Sequence, residues 1–137
     1  MSYLTDEPID IAGLVRRTTR TADGACVVFE GVVRDHHDGK TVESIFYDAY
    51  RPMAEKEIAR IVSDIHRQYS DVQITVIHRL GHLRVGDVSI AIICASPHRA
   101  ESYEASRLLI DQIKQTVPIW KKERGPEGEE WVGWQGR

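Results

Sequence analysis

Three groups of residues have the types and spacing for anion chemistry, in a chain whose net charge is −3. The first is Ser96-Pro97-His98-Arg99, where an apolar run gives way to a helical pattern. A helix N-terminus there offers unpaired N–H groups and partial positive charge, a natural seat for phosphate or carboxylate. His98 and Arg99 make it more positive, and an arginine fork can hold a phosphate with two hydrogen bonds. The same pair also reads as two exposed polar residues in a first turn. The second group is Lys114, Pro118, Trp120 and Lys121. Pro118 ends the helix and turns the chain, so Lys121 can return near Lys114, with Trp120 as an anchor. Two ammonium groups held close disfavour each other's charged form, which equips a lysine to act as nucleophile or acid/base near neutral pH. Two solvated surface lysines are the plain alternative. The third group is Phe29, Gly31 and Arg34 on a strand, where Gly31 marks a bulge or a close backbone approach and Arg34 precedes a polar loop. Taken alone, Arg34 reads as an ordinary strand-end arginine.

Several chemistries find no support. His36-His37 and the pair His78 and His82 lack a convincing third ligand, so no metal site is expected. No glycine-rich phosphate loop, GxSxG elbow or Ser/His/Asp set is present, and no bound cofactor is called for. The acidic balance argues against general attraction to nucleic acid or an acidic membrane surface. Cys26 and Cys94 sit in apolar runs and read as buried core thiols of a reducing compartment. The start shows no leader pattern, and no run reaches the ~20 apolar residues of a membrane span. A soluble cytoplasmic protein is expected.

The elements that must position these residues can be read from periodicity. The 137 residues fit one domain, 1–137, with 42% hydrophobic residues to build a core. Residues 8–19 read as a short amphipathic helix, and residues 25–34 as a strand. A polar turn over 35–40 leads to a returning strand over 41–50, so these two strands look like a hairpin. Residues 51–69 carry apolar positions at spacings of three and four, a helix with Pro52 in its first turn. Residues 72–79 read as a strand, 80–87 as a connection, and 88–95 as a strand buried on both faces. Ser96 suits an N-cap and Pro97 a first helical position, for a helix ending near residue 116. The tail reads as two short strands around a turn over 125–128. The pattern predicts an α+β fold, with helices packed on a mostly antiparallel sheet.

From about Gly24 to Val132 the chain resembles the large, catalytic subunit of molybdopterin synthase. The stretches that carry the resemblance are VVFEGVVRDH, VIHRLGHLRVGD, SPHRAESYEAS and IKQTVPIWKKERGPEGEEWV. The last is the most specific. The resemblance implies an α/β-hammerhead-like fold and a sulfurtransferase that converts cyclic pyranopterin monophosphate into molybdopterin. It implies a ubiquitin-like small sulfur-carrier subunit, whose C-terminal Gly-Gly thiocarboxylate enters a pocket, and a heterotetramer with two large subunits at its centre. By motif, Lys114 and Lys121 match the catalytic lysines, and His98 and Arg99 the pair that binds the substrate's anionic part. Phe29 and Arg34 match pocket residues on the first strand. The family's pocket draws on both central subunits, so His98 and Arg99 are expected to serve the partner's site. Val32 departs from the pattern, since many relatives carry a basic residue there. A non-catalytic scaffold that keeps carrier binding, or a phosphate-ligand enzyme of other chemistry, are the competing readings.

Overall fold

A computed structural model describes residues 2–133. Its elements in chain order are β1 (Leu4–Thr5), α1 (Ile11–Thr18), β2 (Ala25–Val32), β3 (His36–His37), β4 (Lys40–Thr41), β5 (Ser44–Ala49) and α2 (Arg51–Gln68). There follow β6 (Gln73–Arg79), β7 (Gly81–Arg84), β8 (Val88–Ser96), α3 (Arg99–Thr116), β9 (Ile119–Gly125) and β10 (Gly128–Val132). The sequence reading of the tail ran to residue 137, and residues 134–137 lie outside the described residues.

The strands form two four-stranded sheets, in the orders β1-β6-β8-β2 and β10-β9-β5-β7, and a two-stranded β3-β4 ribbon. All pairings are antiparallel except β1 with β6. With three helices packed on these sheets, the fold is α+β, as the sequence predicts. Strand β8 shows why its run is apolar throughout. Ala91 and Ile93 meet Leu14 of α1 on one face. Ile90, Ile92 and Cys94 meet Ile58, Ile61, Ile65 and Leu109 of α2 and α3 on the other. Alternate side chains therefore enter two different cores.

The expected hairpin between residues 25–34 and 41–50 is not formed. Strand β2 pairs along its whole length with β8, from Ala25 opposite Ser96 to Val32 opposite Val88. Strand β5 lies in the other sheet, between β7 and β9. Loop length favours the local partner, but pairing with β8 lets Phe29 pack against the core under α2 and α3. The intervening residues close their own ribbon, with Val42 N–H donating to Asp35 O at 2.8 Å. Besides this ribbon, two short strands are absent from the sequence expectation: β1, and β7 inside the expected connection 80–87. Neither is long enough to show a period.

Two further expectations are corrected. Ser96 is not the N-cap of α3. It is the last residue of β8, fully buried, with its hydroxyl donating to His98 O at 2.6 Å and paired with Ser102 Oγ at 2.5 Å. His98 takes the cap position, and Pro97 stays outside the helix. Cys26 is exposed rather than buried, while Cys94 is buried. Strand β2 is an edge strand whose Cys26, Val28, Glu30 and Val32 face stays open, whereas burial pushes the Cys94 thiol up to about 12.

The β3-β4 ribbon meets β9 where the chain backs tightly onto itself. A β-carbon on Gly125 would lie 2.1 Å from the Thr41 carbonyl oxygen. Backbone on both sides would have to shift, so Gly125→Ala is expected to cost about 1–3 kcal/mol of stability. Denaturant unfolding checks this, and an unchanged midpoint would contradict it.

Candidate active site

Helix α3 delivers Lys114 in its last turn and stops at Thr116. Val117, held extended before proline at ψ 126°, caps it. Pro118 O accepts a hydrogen bond from Tyr50 N–H, which ties the reversal to the start of α2. The chain then returns as β9, with Lys121 opposite Tyr47 and Ala49 opposite Ile119 on β5. This reversal sets Lys114 and Lys121 on the walls of the same two adjoining hollows, which also share Tyr47 and Ile90.

The hollows differ in character. One, of about 480 Å³, is lined mainly by apolar groups, including Ile113, Val117, Ile119 and Trp120, with His78 at its wall. The other, of about 690 Å³ and partly open to solvent, adds Phe29, Gly31, Val32, Arg34, His37 and Glu123. Both hollows are partly open to solvent, and these volumes include that open space. Phe29 and Arg34 both line the second hollow, and β2 is irregular between them. Its register shifts between Gly31 and Val32, and a β-carbon at Gly31 would come within 2.6 Å of Ile90 Cγ2. Val32, 48% exposed, presents an apolar surface at this wall.

His98 and Arg99 are not in these hollows. They stand exposed at the opposite end of α3. Fifteen residues of helix separate Arg99 from Lys114, about 22 Å at the usual rise. One chain therefore gathers Phe29, Arg34, Lys114 and Lys121, and leaves the His-Arg pair apart.

Several lining residues were not singled out for this site from the sequence. Glu123 lies 3.3 Å from Lys121 Nζ, and its other oxygen lies 2.9 Å from His37 Nδ1. Burial opposes its ionisation, but the His37 hydrogen bond and the Lys121 charge outweigh that and hold its carboxyl below the usual range. Their relation was visible in principle, since residues two apart on a strand share a face. Tyr47 is largely enclosed, and burial raises its phenol despite a hydrogen bond with Ser89. Ser89 in turn donates to Gly31 O at 3.1 Å. His78, weighed in the sequence only as a metal ligand, is buried with its ring edge against Tyr47 at 5.0 Å. Among the described residues no three His, Cys, Asp or Glu side chains converge as a metal site.

Burial pushes the His78 imidazole down to about 4, and the nearby Lys114 charge adds to this, against a hydrogen bond to Arg79 O. His78 is thus neutral in the fold while an unfolded chain takes up its proton below the ordinary value of 6.5. Stability from this source is complete above that value. It falls as pH drops toward the folded value and is level below it, a loss of about 3 kcal/mol at most. Unfolding free energies at pH 7 and pH 4.5 should show a smaller drop for His78→Gln than for the native chain. Equal drops would contradict the assignment.

An α+β scaffold with two lysines and an arginine at the walls of one open hollow belongs to the class of folds that present a cationic surface to a ligand. Comparison with known proteins makes that class specific. The family described as MoaE protein matches residues 4–116. The molybdopterin synthase catalytic subunit 1 of Mycobacterium tuberculosis is 40% identical over 95% of this chain and 88% of its own length. The crystal structure of molybdopterin synthase from Staphylococcus aureus superposes with a TM-score of 0.91 at 38% identity, covering 96% of both chains. A Helicobacter pylori chain, solved in a complex of subunits 1 and 2 of molybdopterin-converting factor, shares the fold at a TM-score of 0.75 and 19% identity, over 94% of this chain and 88% of its own. The chain belongs to the MoaE family, the catalytic subunits of molybdopterin synthase. Among the described residues no helix is long and apolar enough to cross a membrane.

Proposed function

We propose that this chain moves sulfur from the C-terminal thiocarboxylate of a ubiquitin-like carrier subunit onto cyclic pyranopterin monophosphate, forming the dithiolene of molybdopterin in the cytoplasm. The observation that carries the reading is the convergence of Lys114, Lys121 and Arg34 on one hollow, in a chain that is acidic overall. Both reactants are anions, so a local cationic field draws in each of them. The apolar hollow beside Trp120 and Val117 suits the carrier's narrow C-terminal segment, and the Arg34 side suits the phosphorylated pterin. Lys114 is assigned to the acyl carbon: with the carrier's sulfur bonded to the pterin as a thioester, its amine attacks that carbon or activates the water that does, the acyl C–S bond breaks, and the sulfur stays on the pterin. Lys121 holds substrate and balances charge.

The second anion grip comes from a second copy of the chain. Strand β2 has one free edge and exposes Val28 and Val32. Its Ala25 end lies beside Ser96, next to His98 and Arg99, while its other end leads to Arg34. A twofold pairing of copies along β2 runs the two strands in opposite directions. It therefore sets His98 and Arg99 of one copy at the Phe29–Arg34 end of the other. Such a dimer completes each hollow with the partner's cations and forms the centre of a heterotetramer.

Incubation with a thiocarboxylated carrier and the cyclic pterin tests the activity. Consumption of thiocarboxylate together with dithiolene formation is the expected result. Carrier binding with the thiocarboxylate left intact would replace this reading with that of a scaffold.

A further inference from the structure

We propose that His37 is a positioning residue for Lys121, acting through the Glu123 carboxylate. His37 Nδ1 lies 2.9 Å from Glu123 Oε1, and Lys121 Nζ lies 3.3 Å from Oε2 of the same carboxylate. The three side chains are only 17%, 11% and 18% exposed, so water competes weakly for their contacts. His37 also faces Asp38, whose carboxylate is 3.7 Å from Nε2 and open to solvent.

The architecture makes this arrangement possible. Lys121 and Glu123 are two apart on β9 and point to one side of the sheet. His37 comes from the β3-β4 ribbon, which is tied to the same strand by Glu43 N–H donating to Arg124 O at 2.8 Å and by the close approach of Gly125 to Thr41. An imidazole N–H that holds one carboxylate oxygen fixes the plane of the group. The second oxygen then meets the lysine from one direction, and the ammonium is held toward the hollow that all three residues line. Without that donor the carboxylate can turn, take the ammonium on both oxygens, and draw it away from a substrate anion.

The proposal rests on the transferase reading, so its test pairs a kinetic readout with one that needs no turnover. His37→Ala is expected to raise KM for the cyclic pterin about fivefold at nearly unchanged kcat, the size of one weakened charge-assisted hydrogen bond. His37→Asn places an amide N–H where Nδ1 stood and is expected to restore KM to within about twofold. A merely structural role would lower the fraction of active protein, and so kcat, with KM unchanged. In the chain alone, carbon NMR should show the Glu123 carboxyl titrating at higher pH in His37→Ala and returning toward its native position in His37→Asn. If the native protein made no product, the function would fall while the NMR comparison still judged this inference. A His37→Ala chain with native KM and native Glu123 titration would overturn it.

Discussion

Lys114→Ala is expected to reduce dithiolene formation by about a thousandfold, within the range for loss of a group that acts on the reacting centre. The apolar packing of α3 does not depend on Lys114. Lys114 is an exposed residue of the last helical turn, and the apolar stripe of α3 runs through Ala105, Leu109 and Ile113 instead. Removing a cation from a helix C-terminus costs about 0.3–1 kcal/mol, too little to unfold the chain. Thermal unfolding should shift only slightly and carrier binding should persist, while thiocarboxylate is no longer consumed. A variant that turns over at a native rate would remove Lys114 from the chemistry.

Arg99→Ala should produce the second large effect, of a different kind. A guanidinium that holds a phosphate through two charge-assisted hydrogen bonds is worth about 1.5–3 kcal/mol, so KM for the pterin should rise about 10- to 100-fold. Within one chain this result would be hard to explain. Arg99 is exposed and most of a helix away from Lys114. The pairing of two copies along β2 accounts for it, because each copy then lends its His98-Arg99 end to the other's hollow. Arg99→Lys should recover only part of the loss, since an ammonium lacks the planar fork. A native KM in Arg99→Ala would place the pterin phosphate elsewhere.

What the sequence revealed depended on how local the determining signal was. Helix α2 was legible because Ala54, Ile58, Ile61, Val62 and Ile65 mark one face, and all five are buried. Strand β8 was legible because both of its faces are covered. The partner of β2 was not, because turn chemistry over residues 35–40 speaks only of neighbours in sequence, whereas the β2–β8 ladder joins residues some sixty positions apart. The same limit applied to the site. Lys114 and Lys121 were linked through Pro118, a local breaker that reverses the chain. His37 and Glu123 lie 86 residues apart and meet only because the β3-β4 ribbon docks on β9. Ser96 misled because serine before proline is a good helix start in isolation, yet β8 extends through it and its hydroxyl is used inside.

The central claim is that cations from two copies serve one hollow, and mixing two impaired variants, assayed at a pterin concentration below the native KM, tests it most directly. Lys114→Ala and Arg99→Ala chains are dissociated, combined in equal amounts and reassociated with the thiocarboxylated carrier. In a mixed dimer one hollow carries both defects and the other carries neither. Random pairing should then restore about a quarter of native activity, since half of the dimers are mixed and half of their sites are intact. Activity that stays at the level of the separate variants, in a sample shown to contain mixed dimers, would contradict the account.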